Sequence, residues 1–162
     1  MSNIVISVNQ AAQISQSLRE AGKRIVLTGG CFDLLHVGHI KLLEKAKEAG
    51  DVLLVLLESD KKIAESKGNH RPIHTQEERA YILSSIRFID YVICLPYFSS
   101  NGEYDNVVTK IHPSIIAVTE GDRGIEHKQR QAKSVDASIS EVITYIPNKS
   151  TSASLKALLE EK

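Results

Sequence analysis

Residues 29–39 read Gly29-Gly30-Cys31-Phe32-Asp33-Leu34-Leu35-His36-Val37-Gly38-His39. Before them stands Ile25-Val26-Leu27, a short apolar run of the kind that forms a buried strand. After them Ile40, Leu42, Leu43 and Ala46 recur at the spacing of one helix face. The segment therefore reads as strand, glycine turn and helix start. His36 and His39 share the face of the first helical turn, where backbone N–H groups lack an intrahelical partner. Those donors and the positive end of the helix dipole attract phosphate. Glycine at 29 and 30 lets the backbone approach a ligand with no Cβ in the way. The local chemistry is that of a polyphosphate site.

The same alternation continues on both sides. Apolar strand-like runs are expected at 24–27, 52–57, 91–95, 115–118 and 142–146, with helical patterns at 37–49, 75–86, 104–111, 124–135 and 151–160. Continuous apolar strands separated by helices predict an α/β fold, a mostly parallel five-stranded sheet covered on both faces. Such sheets bind ligands beyond their C-terminal strand ends, where the glycine turn sits. Upstream, Asn9 is placed to cap a helix over 10–21 that Gly22 would end; this N-terminal extension (1–22) carries no evident chemistry. Residues 61–72 are polar and basic, a loop or short helix, and Thr75 with Glu78 forms a capping box for the next helix. Residues 96–106 read as a surface loop.

Bulk properties narrow the class. The chain has 162 residues, 42% hydrophobic and 25% charged, which suits one compact domain with a real core. Lys+Arg and Asp+Glu are both 20, so no basic surplus supports nucleic-acid binding. Cys31 and Cys94 are too few for a disulfide scaffold and lack zinc-ligand spacing. No signal peptide is read, and no apolar run approaches the roughly 20 residues that span a bilayer. The expectation is a cytoplasmic protein that engages neither nucleic acid nor membrane.

Gly30-Cys31-Phe32-Asp33-x-x-His36-x-Gly38-His39 resembles the G-x-F-D-x-x-H-x-G-H signature of the cytidylyltransferase-like nucleotidyltransferases. Lys67-Gly68, Arg71-Pro72-Ile73, Glu78-Arg79, Gly121-Asp122 and Ser150-Thr151-Ser152 follow in the order that family uses. A lone H-x-G-H is weak evidence; ordered motifs from residue 24 to the C-terminus are strong. The resemblance implies a Rossmann-like three-layer fold and one nucleotidyltransferase domain over 1–162, its core at 24–162. It further implies an enzyme that joins an NTP to a small phosphorylated substrate and releases pyrophosphate, with Mg²⁺ on ATP or CTP. Within the family the pattern is most similar to the adenylyltransferase domain that makes ADP-heptose from a heptose 1-phosphate. The alternatives are cytidylyltransferases for glycerol 3-phosphate or ethanolamine phosphate, FAD synthase-like adenylyltransferases, and a nucleotide-binding regulatory domain without turnover. Relatives of this kind imply a homodimer.

Residue roles follow from the same resemblance. His36, His39 and Lys67 are the expected catalytic groups, acting on the nucleotide phosphates. Gly29, Gly30, Cys31, Phe32, Asp33, Gly38, Gly121, Asp122, Ser150, Thr151 and Ser152 are expected to bind nucleotide. Asp60, Arg71 and Arg79 are expected to bind the phosphorylated substrate; the resemblance equally allows Arg71 to order its loop, Arg79 to be a structural ion partner and Asp33 to order the turn, and no protein metal ligand is identified. Each has an ordinary alternative: Asp33 a helix cap, Lys67 and Arg71 solvated loop cations, Arg79 a surface ion partner, Gly121-Asp122 a plain turn. The chain departs from the family pattern at Glu120, where relatives often carry glycine, and at Ser152, where they keep threonine. The lead-in Pro147-Asn148-Lys149 also lacks an arginine found in the glycerol-phosphate branch.

Overall fold

A computed structural model describes residues 4–144. Among these residues six strands, β1 (Val5–Ile6), β2 (Ile25–Gly30), β3 (Val52–Leu57), β4 (Tyr91–Cys94), β5 (Ile115–Thr119) and β6 (Ser138–Ile143), are joined through six helices, two of them between β3 and β4. The helices are α1 (Val8–Glu20), α2 (Val37–Glu48), α3 (Asp60–Lys67), α4 (Gln76–Ser84), α5 (Asn101–Ile111) and α6 (Ile125–Ser134). All strand pairs are parallel, in the order β1-β4-β3-β2-β5-β6. From β2 the sheet grows one way through β3 and β4 and the other way through β5 and β6. The end of β2 is therefore the switch point, where a parallel sheet opens a crevice.

The sheet has one more strand than the expected five. β1 is only two residues long, too short for a periodicity, yet Val5 and Ile6 pair with Val92 and Ile93. The N-terminal segment is thus part of the sheet, and α1 begins at Val8, capped by Ser7 in a capping box with Gln10 instead of by Asn9. Gly22, with φ +70, closes α1 as expected, its N–H donating to Arg19 O at 2.9 Å. The last described strand covers Ser138–Ile143, starting four residues before the expected 142–146, of which 145 and 146 lie outside the described residues. As an edge strand it alternates Ser, Ile, Ser, Glu, Val, Ile, so a search for continuous apolar runs starts too late. Part of 61–72 is helical: Ser59 caps α3 by accepting from Lys62 N at 3.3 Å. Part of 96–106 is helical too, since the Glu103 carboxylate accepts from the N–H of Ser99 and Ser100 and starts α5 at Asn101.

Two apolar layers flank the sheet. Ile25, Leu27, Leu54 and Ile116 point to α1, α5 and α6, where Val107, Val108, Ile111 and Ala132 meet them. Val26, Leu53, Val55 and Leu57 point the other way, to Leu43 and Ala46 of α2 and Ala80 and Leu83 of α4. Each fully buried leucine or isoleucine contributes about 1.5–3 kcal/mol. Gly50 lets α2 return close to β2, for a Cβ there would lie 2.6 Å from Val26 Cγ2 and 2.8 Å from Arg24 O. The consequence for function is a glycine turn at the top of β2, with α2 rising on one side and the α5–α6 face on the other.

Candidate active site

The turn is shaped by its own packing. Phe32 adopts φ +45, an uncommon value for an aromatic residue, and its buried ring folds back beneath Gly30. A Cβ on Gly30 would lie 3.1 Å from Phe32 Cε2, and one on Gly29 would lie 3.2 Å from Leu56 Cβ. The glycines therefore accommodate protein neighbours first, and their openness to a ligand comes with that.

Both histidines act on the start of α2. His36 is the N-cap: its Nδ1 accepts from Gly38 N at 3.2 Å, while His39 Nδ1 accepts from His36 N at 3.3 Å. The rings stack with centroids 3.8 Å apart, and His39 also leans on Phe32 at 5.3 Å. This changes the expected picture in one respect. Two of the helix-start N–H groups are held by the histidines themselves and do not await phosphate. With each Nδ1 accepting, the ring proton is on Nε2, which has no hydrogen-bond partner among the described residues in either ring. The site so offers two imidazole N–H donors on rings stacked at an interplanar angle of 29°.

Their electrostatics favour the neutral rings. Burial pushes His36 below its ordinary value. Burial, then the neighbouring His36 and the Lys67 ammonium, push His39 down to about 4. Lys67, exposed on the last turn of α3, is thus close enough to His39 to be felt electrostatically. Three of the expected catalytic groups are brought together. A polyanion between them would reverse the balance and favour the imidazolium.

Several expected ligand contacts are instead internal braces. Asp33 is buried, and its carboxylate accepts from Ile73 N at 2.9 Å, His74 N at 3.0 Å and the Arg71 guanidinium. Burial alone would raise its pKa, but the two backbone donors and Arg71 outweigh it and hold the carboxyl below the ordinary range. Asp33 therefore orders the turn and does not present its charge to a nucleotide. Arg71 is buried beside it, and its Nη2, itself buried, has no hydrogen-bond partner among the described residues. The expectation that Arg79 binds substrate is corrected. It is fully buried, and it donates to His74 O at 3.0 Å, Cys31 O at 2.6 Å, Glu58 O at 2.8 Å and the Asp60 carboxylate at 2.6 Å. One guanidinium thereby ties the glycine turn, the end of β3, the head of α3 and the 68–74 loop together.

Gly121, with φ +71, turns the chain after β5. Asp122 accepts from Gly124 N at 2.7 Å and from the Lys128 ammonium at 2.8 Å, so its carboxylate also serves the local loop. Ser150, Thr151 and Ser152 lie outside the described residues.

A cavity of about 370 Å³ opens on the α5–α6 face of the turn. Gly29 and Gly30 form its border with the histidine side; Leu27, Leu56, Val108 and Ile116 make its floor. Glu58, Lys62, Tyr104, His127 and Lys128 supply polar groups. Other hollows, about 590 and 620 Å³, include no residue of the 29–39 stretch. Glu58 could be suspected from sequence because it directly follows a strand. Tyr104, His127 and Lys128 gave no linear signal, since helices that only the fold brings to this edge carry them.

Residues 27–154 match the family model described as cytidylyltransferase-like. Bifunctional protein HldE from a Nitratiruptor species is 40% identical over 141 residues, 86% of this chain and 29% of that protein. Bifunctional protein HldE from Aliarcobacter butzleri is 34% identical over 151 residues, 93% of this chain and 30% of that protein. The chain thus spans about three-tenths of the length of these curated relatives. Among solved structures, a lipopolysaccharide core biosynthesis protein from Thermoplasma volcanium superposes with a TM-score of 0.60 at 25% identity, over 80% of this chain and 99% of that one. A pantoate-beta-alanine ligase from Francisella tularensis, complexed with beta-gamma ATP and beta-alanine, shares the fold alone. Its TM-score is 0.61 at 17% identity, over 90% of this chain and 69% of that one.

Proposed function

Because the chain belongs to the cytidylyltransferase-like family, we propose that residues 1–162 form one nucleotidyltransferase domain that adenylylates a sugar phosphate of the heptose 1-phosphate type. The observation that carries the reading is the stacked His36–His39 pair with both Nε2 donors uncommitted at the glycine turn. The similarity to proteins named bifunctional protein HldE and the sugar-nucleotide synthase pattern in the motifs support ATP and a sugar phosphate over the alternatives.

In this reading an acceptor phosphate oxygen attacks the α-phosphorus of the NTP in line. A new P–O bond forms, the bond to the bridging oxygen breaks, and its electron pair leaves with pyrophosphate. A phosphate anion needs no general base, so the protein's task is to align two polyanions and stabilise the charge that develops. His36 and His39 donate Nε2–H to the α-phosphate oxygens, and Lys67 neutralises the departing phosphates. Among the described residues no three His, Cys, Asp or Glu side chains gather into a metal-holding group. In the reading Mg²⁺ would accompany the triphosphate and neutralise phosphate charge there. The reading also has the protein working in the cytoplasm as a homodimer. Among the described residues no helix is long and apolar enough to cross a membrane.

The test is pyrophosphate release with each NTP against sugar 1-phosphates, glycerol 3-phosphate, ethanolamine phosphate and FMN. Turnover with ATP and a sugar 1-phosphate is expected. Selectivity for CTP would overturn the adenylyl assignment, and nucleotide binding without turnover across the panel would point to a regulatory domain.

A further inference from the structure

The cavity on the α5–α6 side holds a polar pair that the phosphate chemistry does not use. Tyr104 Oη donates to Glu58 Oε2 at 2.6 Å, and Glu58 Oε1 accepts from Ser59 N at 2.8 Å. Both side chains line the cavity. Oε1 also has the Ser59 hydroxyl at 3.4 Å, whereas Oε2 holds the Tyr104 donor alone and keeps lone-pair capacity for another. The pair is fixed from several directions. Arg79 grips the Glu58 carbonyl at 2.8 Å, and the Tyr104 ring packs edge-on against Phe98 with centroids 4.9 Å apart. Burial first, and then the Glu58 carboxylate, push the Tyr104 hydroxyl far above its ordinary pKa, so it stays a donor.

We propose that Glu58 and Tyr104 are specificity-determining residues that seat the polyhydroxylated body of the acceptor in this cavity, its phosphate directed over Gly29 and Gly30 towards the histidines. This rests on the nucleotidyltransferase reading above. Acceptor-only oxygens ask for hydroxyl donors, and the apolar floor of Leu27, Leu56, Val108 and Ile116 suits the C–H face of a sugar. The volume of about 370 Å³ falls within the range of small-molecule sites, about 300–1,000 Å³. A two-carbon body such as ethanolamine would leave most of it to water. A carboxylate-bearing body would meet Glu58 as a like charge. Lys62 of α3 adds a cation to the lining.

The experiment compares wild type, Glu58→Gln and Tyr104→Phe, using heptose 1-phosphate, glucose 1-phosphate, 2-deoxyglucose 1-phosphate and ethanolamine phosphate. Tyr104→Phe keeps the ring against Phe98 and so keeps the fold. Direct titration of each phosphate, without nucleotide, is expected to show binding of the fully hydroxylated sugars to wild type. That binding should weaken at least ten-fold in Glu58→Gln and about three-fold or more in Tyr104→Phe. In turnover, acceptor KM should rise by similar factors while KM for ATP and kcat change less than two-fold. Unchanged sugar affinity in both variants, or a rise in the KM for ATP alone, would overturn the assignment of the cavity to the acceptor. Equal losses for deoxy and fully hydroxylated sugars would overturn the role given to hydroxyls. Sugar binding that depends on Glu58 without pyrophosphate release would uphold the cavity and sink the enzyme reading instead.

Discussion

Arg71 and Asp33, 38 positions apart in the chain, form a buried ion pair that fastens the 68–74 loop to the turn leading into α2. Their side chains are 8% and 1% exposed, so neither is a solvated loop charge. The carboxylate also holds two backbone N–H groups of the loop. The histidine pair is consequently built on a base that distant chain segments lock together.

Asp33→Ala would leave the Arg71 charge and two backbone donors without their partner. Loss of one member of a buried pair costs about 3–5 kcal/mol. Urea unfolding should show that loss for Asp33→Ala, and the double variant with Arg71→Met should recover at least about 1 kcal/mol of it. Additive losses in the double variant would mean the two groups are not coupled.

His36 carries two roles that substitution can separate. As N-cap it holds Gly38 N, a contribution of about 1 kcal/mol; through Nε2 it serves the phosphates. His36→Asn keeps a capping oxygen, whereas His36→Ala keeps neither role. Turnover should fall at least ten-fold in both, with a lowered urea midpoint only in the alanine variant. Wild-type turnover in His36→Asn would remove the phosphate role.

Arg79→Lys retains the charge but replaces a planar fork with a single ammonium. That group cannot reach Cys31 O, Glu58 O, His74 O and Asp60 at once. Stability should drop by about 3 kcal/mol or more, and acceptor KM should rise because the Glu58 backbone loses its anchor. A lysine variant as stable as wild type would show that the brace is dispensable.

His39 makes stability depend on pH with a defined sign. The unfolded chain protonates this ring near its ordinary 6.5, while the folded protein resists until about 4. Between those values the unfolded state binds more protons. The contribution is complete above pH 6.5, falls as pH drops towards 4, and levels off below. At about 1.4 kcal/mol for each pH unit separating the two values, the loss is at most about 3.5 kcal/mol. Urea midpoints measured from pH 7.5 to 4 should fall more steeply in wild type than in His39→Gln. Added triphosphate should draw a proton onto the site, visible as proton uptake when binding heats are compared in buffers of different ionisation enthalpy. Parallel pH curves for the two proteins would contradict the assignment.

Local order and chemistry were written in the chain. Val52–Leu57 is apolar at every position, so only a strand buried on both faces suits it. Thr75 and Glu78 form their capping box within one turn. The spacing of His36 and His39 puts both rings at the start of α2 wherever that helix lies. These features depend on neighbours a few residues away, and periodicity or a motif reports them. β1 escaped because a two-residue edge strand has no period, and β6 was placed to start four residues late because a half-exposed strand has no continuous apolar run.

Tertiary structure alone decided which charges face outward. Nothing adjacent in sequence distinguishes Arg79, sealed by four acceptors from three separate segments, from the exposed Lys67. Nothing local joins Tyr104 to Glu58, 46 positions earlier. A long polar side chain takes its role from the partner it finds, and burial raises the cost of lacking one. That partner is set by how the sheet folds, and no residue specifies it singly.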